Sequence, residues 1–192
     1  METFEKKIKI PQERIAVLIG KKGEIKDQIE QETETKLDVD SDEGDVTIKG
    51  EDGVGIYTAE TIVKAVARGF NPEVALLLLK QDYVFELLNI QDYAKTTESV
   101  RRLKGRVIGQ EGKSRKIIED MTETNVSVYG KTISIIGEAA AVAIARRAVD
   151  SLLRGSPHST VYTWLEKQRR NLKMRMLEEK KGDMFCLKQS CG

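Results

Sequence analysis

Ile15-Ala-Val-Leu-Ile-Gly-Lys-Lys-Gly23 returns as Lys104-Gly-Arg-Val-Ile-Gly-Gln-Glu-Gly112, an offset of 89 residues from Gly20 to Gly109. Repetition at a fixed offset means two copies of one structural unit. The echo continues past the glycines. Ile29 and Ile118 each stand six residues after the closing glycine, and Thr33-Glu-Thr35 recurs as Thr122-Glu-Thr124 at the same offset of 89. The registers then slip by two or three residues, so that Ile48-Lys-Gly50 matches Ile135-Ile-Gly137 and Arg68-Gly69 matches Arg154-Gly155. Slips of that size are what different loop lengths in duplicated domains produce.

Each copy reads as the same order of elements. Residues Lys6 to Ile10 alternate charged and apolar side chains, the period of a half-buried strand, and Pro11 suits the first turn of a helix through Arg14 to Ile19. After the glycine pair a second helix runs from Glu24 to Glu32, with Ile25 and Ile29 one turn apart on its inner face. Leu37 and Val39 alternate as a strand, the acidic loop Asp40 to Gly44 turns the chain, Val46 to Ile48 returns, and Ile56 to Arg68 closes the unit as a helix. The second copy gives a strand at Tyr83 to Ile90, helices at Ser99 to Ile108 and Lys113 to Met121, strands near Val126 to Val128 and Thr132 to Ile136, and a closing helix from Glu138 to Leu153. Gly130, in the tight turn Tyr129-Gly-Lys131, is free to take positive φ. The fold class is therefore α+β, with the order β-α-α-β-β-α twice: three-stranded sheets with helices on one face. The expected division is 1–80 for the first unit with its connecting helix, 81–155 for the second, 156–181 for a C-terminal helix and 182–192 for a disordered tail. Between the units no Gly/Ser linker is present, and Ala75-Leu-Leu-Leu-Leu79 needs burial, so the two units are expected to pack together.

Two glycines bracketing two residues between helices remove two Cβ atoms and let the backbone turn tightly. A sugar-phosphate chain can then lie against the loop, its phosphates facing main-chain N–H groups and the N-terminus of the next helix. A groove floored by apolar side chains beside it would receive unstacked bases, so single strands fit and a stacked duplex does not. On Gly20, Gly23, Gly109 and Gly112, with an isoleucine before each pair and Ile and Thr following at fixed distances, the chain resembles the KH family of type I, found in eukaryotes and archaea. Ile19-Gly-Lys-Lys-Gly23 nearly matches that family's I-G-K-x-G core. The resemblance covers roughly residues 5 to 70 and 83 to 154. It implies binding of single-stranded RNA, about four nucleotides per unit, with no cofactor. The residues it marks for RNA are Gly20, Lys21, Lys22, Gly23 and Lys26 in the first copy. In the second they are Arg106, Gly109, Gln110, Glu111, Gly112, Lys113, Arg115 and Lys116. Two departures stand out. The family's aliphatic residue three positions after the closing glycine is Lys26 in one copy and Arg115 in the other, with Ile25 and Ile117 beside them; and Glu111 would face phosphate in the second loop. Arg101, Arg102, Lys104, Arg106, Lys113, Arg115 and Lys116 nonetheless surround that loop with positive charge.

A formal charge of +1 hides an asymmetry: residues 1–80 carry 12 Lys/Arg against 17 Asp/Glu, and residues 81–192 carry 20 against 14. Long-range attraction of a polyanion belongs to the second half, while the first must rely on Lys21 and Lys22 locally. No apolar stretch approaches the roughly 20 residues of a membrane helix. The N-terminus lacks a secretory core, so a soluble protein of the cytoplasm is expected. Cys186 and Cys191, with the one histidine His158 far upstream, supply too few ligands for a structural zinc site and read as incidental thiols. Gly112-Lys-Ser114 has the ending of a phosphate-binding P-loop, but Val107 stands where the leading glycine must be. Asp38-x-Asp-x-Asp42 opens like a calcium loop, but Glu43 and Lys49 occupy the positions that need Gly and Glu. No constellation of nucleophile and base suggests catalysis.

After Gly155-Ser-Pro157, Ser159 to Lys181 reads as a further helix, with Val161, Trp164, Leu165, Gln168, Leu172 and Met176 on one face. Trp164 packs that helix on the second unit or, alternatively, serves as a base-stacking platform. Lys167, Arg169, Arg170, Lys173 and Arg175 supply positive charge, the arginines among them being expected to contact RNA or an acidic partner. The paired units and this extension together resemble the archaeal branch of the partner-of-NOB KH-repeat ribosome-assembly family. That resemblance implies binding near the 3′ end of small-subunit rRNA during maturation, beside a rRNA-trimming endonuclease and a rRNA dimethyltransferase. Two readings stand as alternatives: a translation or messenger-RNA regulator using the same modules, and a protein-docking scaffold whose second loop no longer grips RNA.

Overall fold

The alternation of Lys6, Ile8 and Ile10 with charged neighbours builds an edge strand, and a computed structural model places it so. The structure describes residues 4–171 together with Met174; the expected tail at 182–192 and the thiols Cys186 and Cys191 lie outside them. The first unit is β1 (Phe4–Lys9), α1 (Gln12–Ile19), α2 (Glu24–Thr33), β2 (Thr35–Val39), β3 (Asp45–Gly50) and α3 (Gly53–Ala67). A short helix, α4 (Pro72–Ala75), and a 3-10 turn (Leu76–Leu79) lead to the second unit: β4 (Tyr83–Asn89), α5 (Thr97–Ile108), α6 (Lys113–Thr122), β5 (Asn125–Tyr129), β6 (Thr132–Glu138) and α7 (Ala139–Leu153). A last helix, α8, covers 158–171. Both sheets are antiparallel, ordered β1-β3-β2 and β4-β6-β5. Pro11 sits at the N-cap of α1 with extended ψ, one residue before its expected place in the first turn.

The repeated Thr-Glu-Thr has a structural cause. In each copy the first threonine donates to the carbonyl one turn back, Thr33 Oγ1 to Ile29 O at 2.6 Å and Thr122 Oγ1 to Ile118 O at 2.7 Å. Each also shares a 2.8 Å hydroxyl bond with the second threonine. The glutamate between them takes a left-handed conformation, φ 52° at Glu34 and 56° at Glu123, which ends the helix and sends the chain into the strand. All four threonines are buried, so their hydroxyls need these bonds.

The two sheets differ on the face away from their own helices. On the first sheet that face carries Glu5, Lys7, Lys9, Lys36, Asp38, Asp45 and Lys49, which water covers well. On the second it carries Tyr83, Phe85, Ser127, Ser134 and Ile136, and every residue from Thr132 to Gly137 is buried. Ile136 belongs to the first unit's core, where Tyr83 and Phe85 pack with Ala75, Leu76, Leu78 and Leu79. The expected burial of the leucine run is thereby met: it fills the seam between the units. Phe70 and Phe85 meet edge to face at 6.5 Å. Ser127 Oγ donates to Arg68 O at 2.8 Å, and the Tyr129 hydroxyl donates to the Glu13 carboxylate. Gly69 makes the close approach possible, since at φ +96° a Cβ there would lie 2.8 Å from Ser127 Oγ.

The helix α8 joins the second core through Val161 and Leu165, both buried. Trp164 lies half-buried at that core's edge with the Arg147 guanidinium 5.2 Å from its ring centre. Arg169 is spent on the same contact: it is half-buried, with Nη1 3.9 Å from Met121 Sδ.

Candidate nucleic-acid interface

The two loops share one backbone path. The opening glycine has φ 74° in both, with ψ −176° at Gly20 and 177° at Gly109, a region open to glycine alone. The third residue is left-handed, φ 56° at Lys22 and 53° at Glu111, and so are Gly23 and Gly112. The two glycines of a pair do different jobs. A Cβ on Gly20 would lie 2.5 Å from Ile25 Cγ1, and one on Gly109 would lie 2.7 Å from Ser114 N, so the opening glycine lets the next helix start against the loop. A Cβ on Gly112 would meet nothing within 4 Å, and on Gly23 only Asp27 at 3.7 Å. The closing glycine therefore faces outward, where a bound backbone would approach. Neither α2 nor α6 has a side-chain N-cap; the N–H of its first residue donates back into the loop, Glu24 to Lys21 O and Lys113 to Gln110 O, and the N–H groups that follow take no side-chain acceptor.

Charge is arranged oppositely at the two loops. In the first, Lys21 and Lys22 are exposed in the loop while Glu24 and Asp27 occupy the first turn of α2. In the second, Glu111 occupies the loop while Lys113, Arg115 and Lys116 open α6, whose first turn has no carboxylate. Among the described residues no carboxylate lies within ion-pair reach of Lys21, Lys22, Arg101, Arg102, Lys104, Lys113 or Lys116. From the second loop an open groove of about 580 Å³ runs along α6 past Arg115, Lys116 and Glu119 to Thr124 and Asn125.

Lys26 and Arg115, the departures from the family pattern, hold equivalent places. Each pairs with the glutamate one turn on: Lys26 Nζ is 3.9 Å from Glu30 Oε1, and Arg115 Nε is 3.6 Å from Glu119 Oε2. Those glutamates accept the N–H of the neighbouring strand, Leu37 N at 2.6 Å and Val126 N at 2.8 Å. The carboxylate so fixed holds a partly exposed cation where an aliphatic side chain was expected, and in the second unit that cation, Arg115, lines the groove.

Arg106, expected among the RNA contacts, is committed elsewhere. Its Nε donates to Leu152 O at 3.1 Å and its Nη2 to Ser156 O at 2.7 Å, closing the C-terminus of α7. Arg14 does the same in the first copy, to Val66 O at 2.8 Å and Phe70 O at 2.5 Å. The acceptors are equivalent in the two units, but the arginines stand six and three residues before their opening glycines, one helical turn apart. Sequence alignment on the glycines could not pair them. Beside this anchor Tyr93 donates to Asp150 Oδ1 at 2.6 Å, and Arg154 Nε donates to Asp150 Oδ2 at 2.8 Å. The bond to Asp150, with burial, raises the Tyr93 phenol above its ordinary value. Burial alone would raise the Asp150 carboxyl, but the bonds from Arg154 and Tyr93 outweigh it and hold the carboxyl below its usual range.

Comparison with known proteins matches both units. Residues 5–65 match the KH domain, and residues 84–170 match the second KH domain of PNO1 proteins, a eukaryotic type KH-domain (KH-domain type I). That second match takes in α8. The chain is 50% identical over 183 residues to the KH domain-containing protein MJ0443 of Methanocaldococcus jannaschii, covering 92% of this chain and 80% of that protein. It is 33% identical over 124 residues to the pre-rRNA-processing protein pno1 of Aspergillus fumigatus, covering 62% of this chain and 49% of that protein, so it spans about half that relative's length. Dim2p from Pyrococcus horikoshii superposes with a TM-score of 0.79 at 45% identity, covering 85% of this chain and 99% of that one. A chain of the a/eIF2alpha-aDim2p-rRNA complex from the same organism superposes with a TM-score of 0.81 at 44% identity, covering 88% and 96%. Two KH domains, the docked leucine seam and these likenesses place the chain in the Dim2 family of tandem KH-domain proteins.

Proposed function

We propose that this chain is a non-catalytic single-stranded RNA-binding protein that holds small-subunit rRNA near its 3′ end while the ribosome is assembled. The observation that carries the reading is the pair of outward-facing closing glycines, each beside an uncapped helix N-terminus and exposed lysines. A family relative at 44% identity is known in complex with rRNA, which supports ribosomal RNA as the ligand. In this reading Gly20, Lys21, Lys22, Gly23, Gly109, Gln110, Gly112, Lys113 and Lys116 face the RNA backbone, and Lys26 and Arg115 face bases. Glu111, exposed in the second loop, faces the same backbone, and Lys113, Arg115 and Lys116 beside it keep the local field positive. Residues 1–80 and 81–155 act as the two modules in the cytoplasm, with 156–181 added to the second. The family resemblance supplies a rRNA-trimming endonuclease and a rRNA dimethyltransferase as neighbours on the same RNA.

The presence of a/eIF2alpha beside aDim2p in the relative's complex favours a second reading, a role in translation initiation. Crosslinking the protein to RNA in the cells that make it, then sequencing the tags, separates the two. Reads gathered at the 3′ end of small-subunit RNA are expected. Reads dispersed over messenger RNA would favour the second reading, and none above background would overturn both.

A further inference from the structure

Beside the second loop, on the far side of α6 from the groove, lies a depression of about 450 Å³ bounded by Arg102 of α5, by Lys113, Ser114 and Ile117 of α6, and by His158 and Tyr162 of α8. The groove follows Arg115, Lys116 and Glu119; at 3.6 residues per turn those residues and Ser114 and Ile117 point well over a right angle apart. The two concavities meet only at the loop.

We infer that this depression is a second RNA subsite, which seats one nucleobase beyond the nucleotides held in the groove; the inference rests on the RNA-binding reading above. Its floor differs from the first module in one telling way. The side chain packed beneath the opening glycine is Ile25 in the first loop and Ser114 in the second, at 2.5 and 2.6 Å from the Cβ that each glycine lacks. Isoleucine fills that space with hydrocarbon, whereas serine leaves room and brings a hydroxyl. Ser114 is 2% exposed, and its Oγ has no hydrogen-bond partner among the described residues. A buried hydroxyl without a partner is unusual enough in a folded protein to point to a missing one. The Tyr162 ring and Ile117 are half-buried and offer an apolar wall to the face of a base. His158 is fixed behind them by a 2.8 Å bond between Nε2 and Arg106 O and by an edge contact with Tyr162 at 5.9 Å. Arg102 and Lys113 are exposed at the rim, with no carboxylate in ion-pair reach among the described residues, where they meet the phosphates on either side of the base. A base entering against Tyr162 shifts the side chains over Ser114 and supplies its missing partner.

The test is a length series of single-stranded RNA measured on the full chain: a tetranucleotide, then the same sequence extended by two nucleotides at its 5′ end or at its 3′ end. Extension at one end is expected to tighten binding roughly tenfold, within the range of stacking one base on an aromatic ring. Tyr162→Ala should abolish most of that gain and Ser114→Ala part of it, with tetranucleotide affinity unchanged. Ser114→Ala keeps the Cβ beneath Gly109 and so preserves the loop, which guards against Tyr162→Ala acting through the fold. No gain at either end in the natural chain, or the full gain in both variants, would overturn the subsite. Failure of the tetranucleotide to bind at all would instead overturn the RNA-binding reading, and the subsite with it.

Discussion

The two glycines of the second loop should respond differently to the same added methyl. Gly112 is left-handed at φ 77°, ψ 8°, and a Cβ there meets nothing within 4 Å. Alanine at that position bears only the left-handed penalty, about 1–2 kcal/mol, which in a chain of this size lowers the melting temperature by roughly 2–8 °C. Gly109 at φ 74°, ψ 177° lies in the region that only glycine visits, and its Cβ would press on Ser114 N at 2.7 Å and Ser114 Cβ at 2.6 Å. Strain of about 1–3 kcal/mol combines with overpacking of similar size, so Gly109→Ala should melt on the order of 10 °C lower. Binding should rank the other way once only folded protein is compared. The Gly112 methyl stands where the RNA backbone must approach, and losing one charge-assisted hydrogen bond costs about 1.5–3 kcal/mol, tenfold or more in affinity. Thermal unfolding gives the first ranking, and fluorescence anisotropy with labelled single-stranded RNA at fixed salt gives the second. A folded Gly112→Ala protein that binds within twofold of the natural chain would refute the assignment of this face to RNA.

Lys21→Asp with Lys22→Asp should leave stability nearly unchanged, since both side chains are exposed. It should weaken RNA binding and flatten the log–log salt dependence by about 0.7 for each phosphate that the variant no longer neutralises; an unchanged slope and affinity would remove the first loop from the interface. Arg106→Met deletes two bonds to the C-terminus of α7. Stability should fall by about 1–3 kcal/mol in urea unfolding, while RNA affinity at saturating fold moves little; the opposite pattern would return Arg106 to the binding face. Asp150→Asn tests the partly exposed cluster of Tyr93, Asp150 and Arg154. Because the folded carboxyl lies below its ordinary 3.8, its stabilisation is fully present above that value and is lost as the pH falls through the depressed one. The variant should therefore be less stable than the natural chain at neutral pH, with the gap closing below pH 3.8; a gap that widens in acid would contradict the sign.

The loops, the element order and the leucine seam were legible because each rests on local pattern: a duplicated glycine spacing, a period of two or 3.6, an apolar run without charge. The face that receives the seam was legible only in part. Tyr83, Phe85 and Leu87 mark it on β4, whereas on β6 it carries Thr132 and Ser134 beside Ile136, an alternation that reads as solvent-facing although all three are buried. A guanidinium bound to helix carbonyls and one awaiting phosphate look alike in sequence; only the position of α7 shows that Arg106 closes that helix. Lys26 and Arg115 read as departures until Glu30 and Glu119, one turn on in both copies, gave them partners. The face that carries Val161, Trp164 and Leu165 was legible from helical spacing, but not that Val161 and Leu165 anchor α8 while Trp164 stays half-buried at the edge.

Amide hydrogen exchange with and without a single-stranded RNA from the 3′ end of small-subunit rRNA tests the central claim most directly. The account predicts slowed exchange at residues 109–116 and 20–24, with the outer face of the first sheet, at 5–9 and 45–49, unaffected. Protection confined to that charged sheet face, with both glycine loops exchanging as in the free protein, would contradict it.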